Sequence, residues 1–250
     1  MLAVPAALSF IVTIDGPAGT GKSTVAHSLA KRLGLEFLDT GAMYRALALE
    51  ALDRGIDPAD GARVAELMRA LDLSFDWKHD PPDLFVNGRV VGERIRTPEV
   101  TRAVSDVARI AEVRAEMVRA QRAIARRHPR LVTEGRDQGS VVFPDADVRI
   151  YLDARPEIRA RRRVEQLAVK GIRTTYDEVL AQILERDRID STRADGPLVC
   201  PRGAEIVDTS DIDVPDVIDR LAAIVRARAG EALAASARPT HGKGGGASAP

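Results

Sequence analysis

Cysteine is nearly absent. The one thiol, Cys200, excludes an internal disulfide framework, and beside Pro201 it has no neighbour to suggest catalysis or metal binding. No apolar run approaches the roughly 18 residues that a membrane helix needs, and the first ten residues lack the basic stretch of a secretory leader. A cytoplasmic chain with no membrane partner is the expectation. Net charge is missing too: 37 basic residues balance 37 acidic ones, so no global field draws nucleic acid to the molecule. The histidines, His27, His79, His128 and His241, are scattered without ligand-like spacing, so no zinc site is expected. Lysine is scarce, limited to Lys22, Lys31, Lys78, Lys170 and Lys243, and the remaining basic residues are arginines, whose planar donor fork suits phosphate. There is no internal repeat, and nothing demands more than a monomer.

What is present reads as one α/β domain. At 250 residues and 45% hydrophobic content the chain can bury a full core with room for insertions. Short β-branched runs at 9–14, 36–38, 131–133, 148–152 and 204–207 predict five core strands, and the helical patterns between them imply a parallel sheet. Helices are predicted at 23–33, closed by Gly34, and at 40–52, 63–71 and 215–228. Thr97 and Pro98 open a helical stretch that breaks near Ile110 and ends about His128, and 156–193 is helical and crowded with arginine. Asn87-Gly88 between 84–86 and 89–91 predicts a type I′ hairpin, and Phe75 and Trp77, which alternate as strand residues would, read as packing residues of the same insertion. The domain is expected over 1–229, with core segments about 8–55, 97–155 and 203–229, an insertion about 56–96 and a lid about 156–195. The Ala, Gly, Ser and Pro composition of 230–250 predicts a disordered tail.

The sharpest local signal is Gly16-Pro17-Ala18-Gly19-Thr20-Gly21-Lys22-Ser23, a glycine-rich turn between a strand and a helix. In that setting successive backbone N–H groups and the positive helix end converge on nucleotide phosphates. Lys22 is expected on the outer phosphates, Ser23 on Mg²⁺, and Thr24 as a further phosphate contact. The loop is shared by GTPases, motors and small-molecule kinases. No guanine-reading Asn-Lys-x-Asp segment occurs, and a motor ATPase usually has a larger chain, so a compact ATP-dependent kinase remains. Two further turns, 39–45 and 134–139, leave strands at the carboxyl edge of the sheet, where open α/β folds bind ligands, and Arg45 points towards the same crevice. Glu134 could order Mg²⁺ waters, with Asp15 and Asp39 as alternatives.

Taken together, IDGPAGTGKST, LDTGAMYR at 38–45, GERIRTPEV at 92–100, EGRDQGSVVFPDADVRIYLDA at 134–154 and ERDRIDSTRADGPL at 185–198 make the chain resemble the bacterial cytidylate kinase family over nearly all its length except the tail. The resemblance implies a P-loop NTPase-type five-stranded parallel sheet with a small β-containing NMP-binding insertion and a helical lid. It implies transfer of a phosphoryl group from ATP to CMP or dCMP. Thr40, Ser105, Arg114 and Asp137 would surround the base, near Tyr44. Arg45, Arg136 and Arg193 would hold the acceptor phosphate, and Arg186 and Asp190 the sugar. Lys22, Arg136, Arg186 and Arg193 are the expected catalytic residues, and Arg159, Arg162 and Arg163 would close over ATP. The family often has serine where this chain has Thr40. Competing readings are a kinase for UMP or another metabolite, and a P-loop regulatory protein that binds ATP without turnover.

Overall fold

The computed structural model describes residues 9–169 and 171–236, with side chains described as far as residue 230. At its centre β1 (Phe10–Asp15) pairs in parallel with β6 (Arg130–Gly135) on one side and β7 (Val148–Asp153) on the other. β2 (Glu36–Asp39) adds to β6 and β8 (Glu205–Asp208) to β7, giving a five-stranded parallel sheet in the order β2-β6-β1-β7-β8. This is the five-stranded parallel sheet that the strand pattern predicts, of the P-loop NTPase type that the resemblance implies, covered by helices on both faces.

Alternation along the strands sorts the core into two layers. Val12, Ile14, Val132, Ile150 and Leu152 face α1 (Lys22–Leu33) and α8 (Val214–Ser236). Leu131 faces the opposite layer, built from α2 (Thr40–Asp53), α3 (Gly61–Ala70), α4 (Pro98–Val107) and α5 (Ala111–Arg127). Towards the carboxyl end this second face turns polar. Thr13, Asp15 and Thr133 are fully buried there, capped by Gln138 from the π-helical turn Gln138–Val142. Thr133 Oγ1 donates to Gln138 Oε1 (2.9 Å), and Gln138 Nε2 donates to Gln121 Oε1 (3.1 Å).

The helix boundaries follow local chemistry. Asp39 accepts the Ala42 N–H at the start of α2, Thr97 accepts that of Val100 with Pro98 in the first turn of α4, and Gly34 ends α1 at φ 65°. The predicted break near Ile110 is the gap between α4 and α5. Asn87 and Gly88 both have positive φ, as a type I′ turn requires. The hairpin is larger than expected: β4 (Asp83–Val86) pairs with β5 (Arg89–Val90) and also with β3 (Leu73–Asp76). The arginine-rich stretch is two helices, α6 (Pro156–Val169) and α7 (Tyr176–Thr192), separated at Gly171 (φ 72°) and packed on each other through Ala160, Val179 and Ile183. α8 continues to Ser236, so the first residues of the segment expected to be disordered are helical. The rest of that segment, 237–250, lies outside the described residues.

The far end of the β3–β4 connection docks on the core. Trp77 stacks on His128 (ring centroids 4.3 Å apart), His128 contacts Glu36 (2.9 Å), and Asp80 meets Lys31 (2.7 Å) and His27. Trp77 is thus a packing residue.

Candidate active site

The phosphate loop wraps the carboxyl end of β1. Gly16 is obligatory, because a Cβ there would overlap the Leu152 carbonyl oxygen, and Gly19 and Gly21 hold φ of 83° and 87°. Lys22 begins α1 and folds back over the loop, its Nζ donating to the Pro17 carbonyl (2.6 Å), and Thr20 Oγ1 donates to the same carbonyl (3.2 Å). Ser23 Oγ donates to Glu134 Oε1 (2.7 Å), bringing a hydroxyl and a carboxylate together beside the loop. Of the three carboxylates that the sequence leaves open for Mg²⁺, Glu134 is the one bonded to Ser23. Asp39 Oδ1 caps α2 (2.7 Å), and both oxygens of Asp15 accept backbone amides. Among the described residues no group of three or more His, Cys, Asp or Glu is arranged to hold a metal ion.

Opposite the loop, four arginines from three elements converge. Arg136, following β6, donates through Nε to Asp190 Oδ2 (2.8 Å), and Arg193, ending α7, places Nη1 3.9 Å from Asp190 Oδ1. Asp190 therefore holds two guanidinium groups at once. Arg193 Nε also donates to the Gly196 carbonyl (2.6 Å). Arg186 of α7 acts on Arg136 and Asp190 from close by, and its Nε is buried without a hydrogen-bond partner. From α2, Arg45 reaches over Gly41, where an added Cβ would come 3.1 Å from Arg45 Nη1, and its charge is felt by Glu134 and Arg186.

The charges in this cleft shift one another. Burial, then Arg136, lower the Lys22 pKa well below that of a free lysine. Burial and Arg136 likewise bring Arg186 down to about 10. For Glu134 burial alone would raise the pKa, but Lys22, the Ser23 hydrogen bond, Arg136 and Arg45 outweigh it and hold the carboxyl below its usual range. Asp190 follows the same logic under Arg136 and Arg186. Cations outnumber carboxylates here, and the excess disfavours every further positive charge.

A second cluster lies beside the first. Asp137 and Arg114 form a buried ion pair next to Tyr44, whose hydroxyl pKa is pushed up to about 12 by burial. Arg193 sits between this pair and Asp190. The chain passes close over the pair at Gly196, where a Cβ would overlap Arg114 Nη2. Thr40 Oγ1 donates to the Glu134 carbonyl (2.7 Å), and Ser105 is half-buried on α4.

The arginines expected to close over ATP lie on α6. Arg159 is buried, with Nε on the Ala154 carbonyl (2.8 Å), Nη1 on the Ala18 carbonyl of the phosphate loop (3.0 Å) and Nη2 on Asp187 Oδ2 of α7 (2.7 Å). Arg162 holds the Thr209 carbonyl (2.5 Å) and hydroxyl (3.2 Å), and Arg163 is half-buried near Arg45. Thr24 is exposed at the start of α1. Two contacts at the site went unread in the sequence: the Arg159 tether between the phosphate loop and α7, and the hold of Asp15 on the turn after β6. Only the position of Asp15 directly before Gly16 signals the second.

Comparison with known proteins agrees with this geometry. The cytidylate kinase family model matches residues 12–227. The chain is 49% identical to the cytidylate kinase of Mycobacterium leprae (strain Br4923) over 220 residues, covering 88% of this chain and 97% of that one. It is 48% identical over 219 residues to the cytidylate kinase of Pelotomaculum thermopropionicum, covering 86% and 96%. Among solved structures, an uncharacterized protein from Eubacterium ventriosum ATCC 27560 matches with a TM-score of 0.51 at 12% identity, covering 88% of this chain and 99% of that one, a likeness of fold alone.

Proposed function

The chain belongs to the cytidylate kinase family, and from that premise we infer how its side chains carry out the ATP-dependent phosphorylation of CMP and dCMP. One observation carries the reading. Arg136 and Arg193 share Asp190, and beside them the Nε of Arg186 is buried with no partner. A cleft that gathers guanidinium groups and leaves a donor unsatisfied is matched to an anion brought from outside.

The loop amides of 16–23 and Lys22 take the outer phosphates of ATP, and Lys22 exchanges the Pro17 carbonyl for them. Arg45, Arg136, Arg186 and Arg193 take the phosphate of the acceptor. Fixed positive charge between two anionic substrates offsets their repulsion and holds the attacking oxygen in line with the γ-phosphorus. The acceptor oxygen is already ionised, so no strong base and no covalent enzyme intermediate are needed. Ser23 and Glu134 fit Mg²⁺ because their oxygens, 2.7 Å apart beside the loop, are hard donors of the kind this ion prefers. When bound, the ion neutralises charge on the transferring group. Helices α6 and α7 serve as the lid, with Arg159, Arg162 and Arg163 closing over the nucleotide to exclude water.

Asp137 accepts from the cytosine amino group, with Arg114, Thr40 and Ser105 around the base. Its negative oxygen repels the carbonyl that uracil presents at the same place. The enzyme acts as a cytoplasmic monomer on small soluble nucleotides, without nucleic acid or membrane. Among the described residues no helix is long and apolar enough to cross a membrane. Purified protein given ATP, Mg²⁺ and each monophosphate separately tests the assignment: CMP and dCMP are expected to turn over ahead of AMP, GMP, dTMP and UMP. A different preferred acceptor would overturn it.

A further inference from the structure

Asp15 ends β1 immediately before the phosphate loop, yet both of its carboxylate oxygens are taken by another element. Oδ1 accepts the backbone N–H of Gln138 and Oδ2 that of Gly139, each at 2.7 Å. Those amides belong to the turn that leaves β6 carrying Arg136 and Asp137. Asp15 is fully buried, and burial lifts its carboxyl to about 7 in spite of the two bonds. A buried acid facing backbone amides is costly to keep, which makes a purely space-filling role a poor explanation for it.

The arrangement restricts movement. A carboxylate with one amide on each oxygen cannot rotate without releasing one of them, and β1 is itself fixed between β6 and β7. Gln138 ties the turn to β6 and α5 through its side chain. On another flank the turn borders a cleft of about 430 Å³ lined by Gly139, Ser140, Arg149 and the 199–203 segment. Asp15 is thus a direct polar link from the strand that launches the phosphate loop to the turn that carries the acceptor residues. Its two amide bonds also remove it from the candidates for ordering Mg²⁺ waters.

We propose that Asp15 is a positioning residue for phosphoryl transfer, holding Arg136 and Asp137 in register with the phosphate loop so that the acceptor phosphate arrives in line with the γ-phosphoryl group. The role rests on the kinase reading given above and requires no contact between Asp15 and either substrate. Asp15→Asn keeps the size and one acceptor oxygen but turns an NH₂ towards the second amide, whereas Asp15→Ala removes both acceptors. Affinities for CMP and for a non-hydrolysable ATP analogue are measured by calorimetry, and kcat at saturation of both substrates. CMP affinity is expected to fall about tenfold for each bond lost, in the order wild type, Asn, Ala. Affinity for the ATP analogue should change by less than about twofold, as for a site not coupled to the lost bonds. The kcat should fall in the same order as CMP affinity. Equal losses for both nucleotides, wild-type CMP affinity in a folded variant, or an Asn variant no better than Ala would each overturn the proposal. Should Asp15→Ala not fold, Asp15→Asn alone decides between a selective and a uniform loss. Wild-type turnover of CMP tests the kinase reading separately, and the variants are scored as ratios to wild type, so either can fail without the other.

Discussion

Lys22 stands between the loop that cradles one substrate and the arginines that await the other. Its Nζ holds the Pro17 carbonyl and its charge is disfavoured by burial and by Arg136, so an arriving anion relieves both conditions. Lys22→Ala should reduce transfer by about a thousandfold or more, read from initial rates, because the lost charge acts on the transferring group itself. Arg136→Ala removes an acceptor contact. It should raise the KM for CMP by about ten- to a hundredfold while binding of an ATP analogue is nearly unchanged. Protonation gives a separate handle. Asp15 and Asp39 have carboxyls raised to about 7 and about 6, both chiefly by burial. The folded state therefore binds protons that the unfolded chain has already released. Their contribution to stability is fully present below the unfolded value near 4 and is lost as pH rises towards 7, for Asp15 by up to about 4 kcal/mol. Melting temperature should decline over that window, and Asp15→Asn should flatten the slope. The loop was legible in the sequence because residue type and order carry its chemistry, whereas the arginines were singled out by the resemblance of their segments to the family. The hold of Asp15 was not legible, since its partners are backbone amides 123 and 124 positions away, which no residue type announces.

At the level of elements, the five core strands and most helices follow from apolar period and from caps such as Thr97-Pro98 and Gly34. β3 was legible only in the strand-like alternation of Phe75 and Trp77, and its bounds were not, because its LSFD stretch is short and only partly buried. The reach of α8 to Ser236 was hidden by composition: its last turns are rich in alanine, which reads as low complexity yet is the strongest helix former. α7 starts with a reciprocal cap in which Thr175 accepts the Glu178 N–H and Glu178 accepts that of Thr175 (2.9 Å). Thr175→Ala should cost about 1 kcal/mol of local stability, seen as roughly fivefold faster amide exchange in the first turn of α7. The same substitution should leave exchange in β1 and β6 unchanged, because the helix pair has its own small core.

Over the whole molecule, the sheet divides labour by face and by end. Both faces become polar near the carboxyl edge: Glu134 and Asp39 lie on the face of Val132 and Phe37, and on the other the buried Thr13, Asp15, Thr133 and Gln138 support the turn that bears Arg136. The arginine cleft opens above that edge, with α6 and α7 on one side and α2 on the other. Arg159 joins three parts of this assembly, the phosphate loop, α6 and α7, so movement of either helix must be felt at Ala18. The sole tryptophan of the chain belongs to the insertion and lies against a histidine of the core. Its emission is therefore a built-in optical gauge of that junction: a displacement of this segment on CMP binding should change the quenching by the imidazole, so that titration with CMP yields a saturable fluorescence signal that His128→Ala abolishes.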